Sequence, residues 1–445
     1  MKHVFALLLV ALTLYLRLGN LDGHLTYEWD QERDMAAVTK MLETDEPALL
    51  GPIVRGNIGG FYLGPWYYYL LAPLIAWQGA SPLTLAYSST GADVLVVLVL
   101  YYLISRRLNR TTALTIVTIW ACSPLIIRGS YTPWNVSLIP LWSLAFIWAW
   151  GRSPALLTLL ATLTTSIHLT LWPLAVVGLL ANWRLFVGRT LKEYIRIFLA
   201  AFLPLTPVII HDLTHRFENF HLFKFFMRQG SHGGLSYLDS LANVTDKFGY
   251  TIGRLLTGEP TTWLGLTVAG ALLAYAIFHA ATNTVIRASL ILTITLLASL
   301  VYYREYAFAE YYFLAAFLPL FLVAGYALHR IPRLPLLFII LAIYLPLGVK
   351  TARLPSYPFA YGSKQRVVEA VRTLAYPVEV RYSLPESKKI GLKYLVATQE
   401  LSDQTAPQKA YVYEVENVEL IAPEDARSII HEELLGVYKL VVFSN

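Results

Sequence analysis

Residues 61–77 read FYLGPWYYYLLAPLIAW, and whether they cross a membrane decides on which side everything after them lies. A spanning helix needs about 20 largely apolar residues, with about 17 near the lower limit, so the length allows a span. Composition argues otherwise. Tyr and Trp, which favour the membrane–water interface, crowd the stretch, and Pro65 and Pro73 interrupt it, each removing a backbone donor and straining a helix interior. Counted as a span, it would also send every basic link downstream to the outer side, against the excess of Lys and Arg in cytoplasmic links. The stretch is therefore read as an interfacial or re-entrant helix on the outer face.

The whole composition supports a membrane frame. Of 445 residues, 56% are hydrophobic and 14% charged, and the mean hydropathy is +0.52, whereas a soluble domain carries about a quarter charged residues. Charged residues thin out through the first 350 positions and return after Lys350, which divides the chain into a membrane body (1–349) and a soluble tail (350–445). The formal charge of +6 would point to nucleic acid in a soluble protein. Here the Arg and Lys residues sit in short links between apolar runs, so nucleic acid is excluded as a partner. The single Cys122 permits neither an intrachain disulfide nor a cysteine-based zinc site and leaves the redox compartment open. The start, MKHVFALLLVALTLYLRL, has the look of a signal peptide, but no A-x-A-like cleavage site follows and Arg17 interrupts its end, so it reads as an uncleaved first span.

Eleven spans follow, at 3–19, 82–104, 112–128, 136–151, 154–168, 170–184, 195–212, 262–280, 288–303, 311–328 and 334–349. With the N-terminus inside, the basic links SRRLNR (105–110), RLFVGRTLK (184–192), Arg287 and HRIPR (329–333) all fall on the cytoplasmic side. Residues 20–81, 129–135, 211–261, 304–310 and everything after 350 then lie outside. Residues 30–44 place Met35, Val38, Met41 and Leu42 at helical spacing and predict a helix on the outer surface. The tail predicts a small α/β domain: a helix at 363–375, strands VEVRYS (378–383), KYLVAT (393–398) and AYVYEV (410–415), a helix at 422–434 and a last strand YKLVVF (438–443). The expected fold is thus an all-α polytopic membrane protein with outer juxtamembrane helices and a small α/β domain.

The first outer loop opens with LTYEWDQERDM (25–35), which crowds Glu28, Asp30, Glu32, Arg33 and Asp34 together. On a helix, residues three and four apart are neighbours, so Asp30, Arg33 and Asp34 converge on one point. A carboxylate there can deprotonate a hydroxyl or amine, and an Arg can hold a phosphate through paired hydrogen bonds. The bland alternative is a hydrated cap at the end of a span, and periodicity alone does not choose between them.

Further motifs are GPIVRGNIGGFYLGPWYYYLLAP (51–73), YTPWNVSLIP (131–140), IIHDLTHRFENF (209–220) and EYYFLAAFLPLFLV (310–323). Together with the first-loop acids, their order resembles the GT-C superfamily of membrane glycosyltransferases. The closer resemblance is to the branch of protein O-mannosyltransferases and lipid A aminoarabinose transferases, and it covers most of residues 1–349. It implies sugar transfer from a polyprenyl-phosphate donor to a glycan, lipid or protein acceptor at the outer face of a cell membrane, with no cofactor and no divalent metal required.

Residue by residue, the resemblance makes Asp30 the base on the acceptor and Arg33 the partner of the donor phosphate. Two departures matter. The relatives' Asp-Glu pair is Asp30-Gln31 here, which makes Glu28 a substitute or helper. Their Lys-Pro-Pro is Leu63-Gly64-Pro65, which makes Arg55 the replacement cation, with Arg304 a third unless it pairs with Glu305 or Glu310. Asn135 stands where some relatives have an aspartate and can hydrogen-bond but not act as a base. Asp34, Tyr62, Trp66, Trp134, Asn135 and Glu310 complete the expected substrate site.

Asp93 and His168 lie within apolar segments, where an ionisable group is a functional candidate; hydrogen bonds within the bundle are the alternative for each. His211 and His215 resemble half a zinc site, but H-D-L-T-H has Asp where HExxH has Glu, and no metal is expected. The glycines of 51–64 are too scattered for a nucleotide fingerprint and are read as shaping a loop. The rival functions are a transporter or flippase of a lipid-linked saccharide, with charges lining a path, and an inactive scaffold with the same body.

Overall fold

The computed structural model describes residues 2–55, 59–230, 234–304, 308–384, 389–404, 406, 408–415 and 428–444. Helix α1 (Lys2–Leu18) leads through the short α2 (Leu21–His24) to α3 (Trp29–Thr44), the strands β1 (Ile53–Arg55) and β2 (Gly60–Tyr62), and α4 (Trp66–Gln78). The bundle continues with α5 (Pro82–Arg107), α6 (Arg110–Cys122), α7 (Pro124–Ser130), α8 (Ile139–Ala149), α9 (Pro154–Leu163), α10 (Trp172–Ala181) and α11 (Leu191–Thr214). After α12 (Glu218–Phe225) come α13 (Tyr237–Thr257), α14 (Thr262–His279), α15 (Thr284–Tyr303), α16 (Leu314–Leu328) and α17 (Arg333–Ala352). Among the described residues, six helices are long and apolar enough to cross a membrane, the pair α6/α7 forms one apolar path bent by 55°, and four apolar helices are shorter. At most seven of the eleven expected spans therefore reach membrane length, the other four being the shorter apolar helices, and the chain is a multi-pass membrane protein.

The bend between α6 and α7 falls at Ser123-Pro124, where the proline cannot continue the hydrogen-bond ladder. Ser123 satisfies its own hydroxyl by donating to the Leu255 carbonyl at 2.6 Å. The spans expected at 154–168 and 170–184 are short helices with single 3-10 turns, Thr164–Ser166 and Leu169–Leu171, meeting at His168.

Tyr361 fixes the side on which residues 61–77 end. Its backbone N–H donates to the Leu25 carbonyl at 2.7 Å, and its hydroxyl bonds the side chain of Ser81, the N-cap of α5. The chain therefore leaves α1 and enters α5 at one end of the bundle, so the intervening α4 does not carry it across. With residues 60–62 in a strand, α4 keeps only 13 residues, about 20 Å of helix, and packs beside α3 and α5. At the opposite end of α5, Asn109 Nδ2 and His329 Nδ1 lie 2.6 Å apart, which brings the links 105–110 and 329–333 together.

The tail from Tyr361 onward sits at the same end as α3. It contains α18 (Tyr361–Arg372), α19 (Leu392–Thr398) and a four-stranded sheet of order β3-β4-β6-β5, with β3 (Val378–Ser383), β4 (Gln408–Glu414), β5 (Ser428–Leu435) and β6 (Tyr438–Ser444). Two expectations are corrected. KYLVAT is helix α19, because Leu392, Leu395 and Val396 are buried at helical spacing and because β3 and β4 run parallel, which requires a crossover. Of the helix expected at 422–434, residues 422–427 lie outside the described part and Ser428–Leu435 is the edge strand β5, turning into β6 at Gly436 with φ +76°. The helix expected at 363–375 is α18.

The region 211–261, read as an outer loop, also contains α13. The signals were present: Ser236 caps the helix by accepting from Asp239 N at 3.1 Å, and Val244, Phe248, Ile252 and Leu255 form its buried stripe. Gly249 and Gly253 of α13 face Gly265 of α14 so closely that a Cβ at Gly265 would overlap the Gly249 carbonyl, the close approach that small residues permit between membrane helices. Gly265→Ala is expected to force these helices apart and cost about 1–3 kcal/mol, read as a lower thermal midpoint in detergent. An unchanged midpoint would show that the contact is not made.

Candidate active site

The acidic loop becomes an ordered device because α3 begins inside it. Glu28 is the N-cap residue, and the Gln31 side chain accepts from its backbone N–H at 3.0 Å in a capping box. Gln31 also donates through Nε2 to the Pro133 carbonyl at 3.2 Å. Gln31 thus anchors the helix start to the loop that follows α7. Thr26 N adds a hydrogen bond to Tyr131 O of 2.8 Å.

One turn on, the Arg33 guanidinium lies between two carboxylates, 2.6 Å from Asp30 Oδ1 and 2.7 Å from Asp34 Oδ1. The two acids differ in access. The Asp30 side chain is 38% exposed and that of Asp34 is fully buried, so only Asp30 can meet a substrate directly. Burial pushes the Asp34 carboxyl up to about 7 against the pull of Arg33. Tyr68 of α4 stands beside both, and burial raises its hydroxyl well above the ordinary value, so it serves as a neutral hydrogen-bonding group.

The tail holds this helix start from the other side. Lys364, 1% exposed, donates to the carbonyls of Tyr27 at 2.6 Å and Ile390 at 3.0 Å. Burial lowers its ammonium to about 8, with Glu28 and Glu32 pulling the other way. Glu32 accepts from Gly391 N at 2.6 Å. The start of α3 and the tail are therefore one continuous structure.

Asp30 lies close enough to Tyr311 to act on its ring hydroxyl electrostatically, and Tyr311 lines a cavity of about 380 Å³. Its walls are apolar at Leu125, Ile126, Val136, Pro140, Leu314 and Phe317, and its polar groups include Arg128, Arg254, Glu310 and Trp134. Trp134 meets Tyr311 edge-on, with ring centroids 4.8 Å apart. Arg254, in the last turn of α13, is ion-paired with Glu310. Arg128, at the end of α7, has no carboxylate partner among the described residues. On the cavity floor Asp93 is held by Arg17 Nε at 2.7 Å and Trp120 Nε1 at 2.8 Å.

The structure therefore brings Asp30, Arg33, Trp134 and Glu310 to one region. The buried Asn135 lies next to it and donates through Nδ2 to the Ile167 carbonyl at 2.5 Å. Other expected site residues have structural engagements. Tyr62 exchanges backbone hydrogen bonds with the Asn219 side chain at 2.7 and 3.0 Å, and Trp66 Nε1 donates to the Pro204 carbonyl at 2.9 Å, tying α4 to α11. Arg304 has its guanidinium 5.2 Å from the Tyr237 ring centre; its alternative partner Glu305 lies outside the described residues. Arg55 ends β1 opposite Gly60, and its side chain is likewise outside them.

The His211 and His215 rings stack with centroids 4.1 Å apart, while Asp212 Oδ1 accepts from Asn219 N at 2.9 Å and so caps α12. Among the described residues no group of three or more His, Cys, Asp or Glu is arranged to hold a metal. His168 bonds Thr170 within its own link, Nδ1 to Oγ1 2.9 Å.

Comparison of the whole chain settles the architecture. The apo structure of ArnT, the lipid A aminoarabinose transferase, from Cupriavidus metallidurans matches 99% of this chain and 98% of its own length, with a TM-score of 0.62 at 12% identity. The chain has the GT-C fold. ArnT bound to undecaprenyl phosphate matches with the same coverage, a TM-score of 0.59 and 11% identity. An oligosaccharyltransferase from Archaeoglobus fulgidus matches 92% of this chain and 67% of its own at 12% identity and a TM-score of 0.47. No family model and no curated protein sequence matches the chain. At such identities the GT-C likeness is one of fold, so the roles of side chains rest on this chain's own geometry.

Within the GT-C body, Arg128, Arg254 and Tyr311 escaped the sequence reading. Arg128 is the last residue of an expected span, and Arg254 falls in an expected loop. The amphipathic stripe of α13 would have placed Arg254, because it follows Gly253 and the closest approach to α14.

Proposed function

We propose that the protein transfers a sugar from a polyprenyl-phosphate carrier to a hydroxyl or amine acceptor at the outer face of the membrane, with Asp30 as base. The observation that carries this reading is the nearness of an accessible carboxylate, Asp30, through Tyr311 to a cavity that has apolar walls and two guanidinium groups. Apolar walls suit an isoprenoid chain, and Arg128 and Arg254 suit the phosphate at its end. Undecaprenyl phosphate bound to ArnT supports a carrier of this class.

In the reaction, a lone pair of the acceptor attacks the anomeric carbon, the carbon–oxygen bond to phosphate breaks, and the phosphate leaves with the bonding electrons. The acceptor proton passes to Asp30. The leaving phosphate is already a stable anion and needs little protonation, so fixed positive charge beside it is the larger aid. The guanidinium groups supply that charge, and the reaction is proposed to need no metal. Glu28, occupied as the helix cap, assists by fixing the position of Asp30. The α/β tail is proposed to frame the acceptor side, since Lys364 and Glu32 tie it to the start of α3.

The test is made with the purified full chain and a polyprenyl-phosphate sugar. Free polyprenyl phosphate is expected to appear only when an acceptor is supplied, at a rate unchanged by a metal chelator. Movement of intact lipid-linked sugar across vesicles without cleavage would establish the transporter reading. Neither cleavage nor movement across a panel of donors and acceptors would leave an inactive scaffold.

A further inference from the structure

A second cavity, of about 510 Å³, lies at the end of the bundle that carries the basic links. Its cations come from three separate places in the chain: Arg107 at the last position of α5, Arg152 in the link between α8 and α9, and Arg287 in the first turn of α15. Its wall contains no Asp or Glu, and among the described residues none of the three arginines is ion-paired. It is remote from the transferase site. The cavity meets α5 at its C-terminal residue, whereas the N-cap of α5 is bound to Tyr361 beside the acidic loop, and the helix between has 26 residues, about 39 Å.

An excess of cations at this end of a membrane bundle is ordinary. Their convergence on one cavity whose wall holds no carboxylate is less so, because like charges around a shared space repel, even with all three side chains reaching solvent. The surroundings are also built. Asn182, 7% exposed, accepts from Gly151 N at 3.0 Å and donates to Gly178 O at 2.8 Å. This clamp fixes the turn at Gly151, where φ is +73°, and so fixes the position of Arg152. The Arg152 guanidinium lies 4.9 Å from the Trp148 ring centre, which further limits its freedom.

We propose that this cavity is an anion site for a phosphate group, held by charge-assisted hydrogen bonds from Arg107, Arg152 and Arg287. Two sources share that chemistry, the headgroup of an anionic phospholipid and a free phosphate in the aqueous phase. The site is separate from sugar transfer and does not depend on the proposed activity.

The experiment uses the full chain in phosphatidylcholine nanodiscs with and without phosphatidylglycerol, read by native mass spectrometry, and thermal shift with inorganic phosphate in the phosphatidylcholine discs. Retained phosphatidylglycerol identifies a lipid headgroup site; a shift with phosphate alone identifies a soluble ligand. In either case the double variant Arg152→Gln/Arg287→Gln is expected to weaken binding by about a hundredfold, the effect of losing two charge-assisted hydrogen bonds. Arg107→Gln, at an exposed helix end, provides a variant with little effect on folding and is expected to weaken binding by about tenfold. Neither ligand binding, or binding that none of these variants weakens, would overturn the proposal.

Discussion

Asp30→Asn is expected to lower turnover by about 10²–10⁴-fold, the usual contribution of a positioned general base, while leaving the folded protein intact. The amide has the size of the carboxylate and keeps an oxygen to accept from Arg33, now 2.6 Å away, so the turn should hold its shape. It cannot accept the acceptor's proton. The neighbouring acids offer no substitute: Asp34 is fully buried against Arg33, and Glu28 caps α3. The measurement is single-turnover release of polyprenyl phosphate together with the thermal midpoint. A midpoint like that of the unmodified protein with strongly reduced release supports the assignment. Release at the unmodified rate would place the base elsewhere and leave Asp30 as a partner of Arg33 only.

The paths of the first loop and of α4 were legible because they rest on hydropathy and on charge counts in links, properties set residue by residue. Tyr and Trp crowding around Pro65 marked the stretch as interfacial, and the bond network of Tyr361 shows why it does not carry the chain across. The return of charge after Lys350 marked the tail. What escaped depends on tertiary partners. KYLVAT satisfies both a strand pattern and a helix pattern, and only the parallel pairing of β3 with β4 demands the helix. β5 resembles a helix in composition because, as an edge strand, it leaves Ile429, Ile430 and Leu434 exposed.

The same reason explains the partial view of the site. The convergence of Asp30, Arg33 and Asp34 was recognisable by their helical spacing, but nothing in the sequence shows that Asp34 would be fully buried and Asp30 left accessible. Gln31 looked like the loss of an acid. The structure gives it a positive role, since it closes the capping box and reaches Pro133 in the second loop. Arg128 and Arg254 are isolated cations in the sequence and become a pair only when α7 and α13 pack together.

Arg17→Met is expected to be the most destabilising of these changes, by about 3–5 kcal/mol, because it removes one partner of a buried ion pair and strands the other. The Arg17 side chain is fully buried, and Asp93 is 11% exposed. Arg17 also donates to the Ala121 carbonyl, so one side chain joins α1, α5 and α6. Burying a charge in apolar surroundings is tolerable only while it is paired and hydrogen-bonded; without Arg17, Asp93 retains only the neutral donor Trp120 Nε1. Asp93→Asn in the same chain removes the stranded charge and keeps an acceptor for that donor, so the double variant should regain much of the lost stability. Because Asp93 and Trp120 form part of the cavity wall, the single variant should also repel an anionic donor and raise its KM, and the double variant should relieve this. Thermal unfolding in detergent and donor titration measure the two effects separately. A single variant as stable as the unmodified protein would show that Arg17 and Asp93 do not form a buried ionic pair.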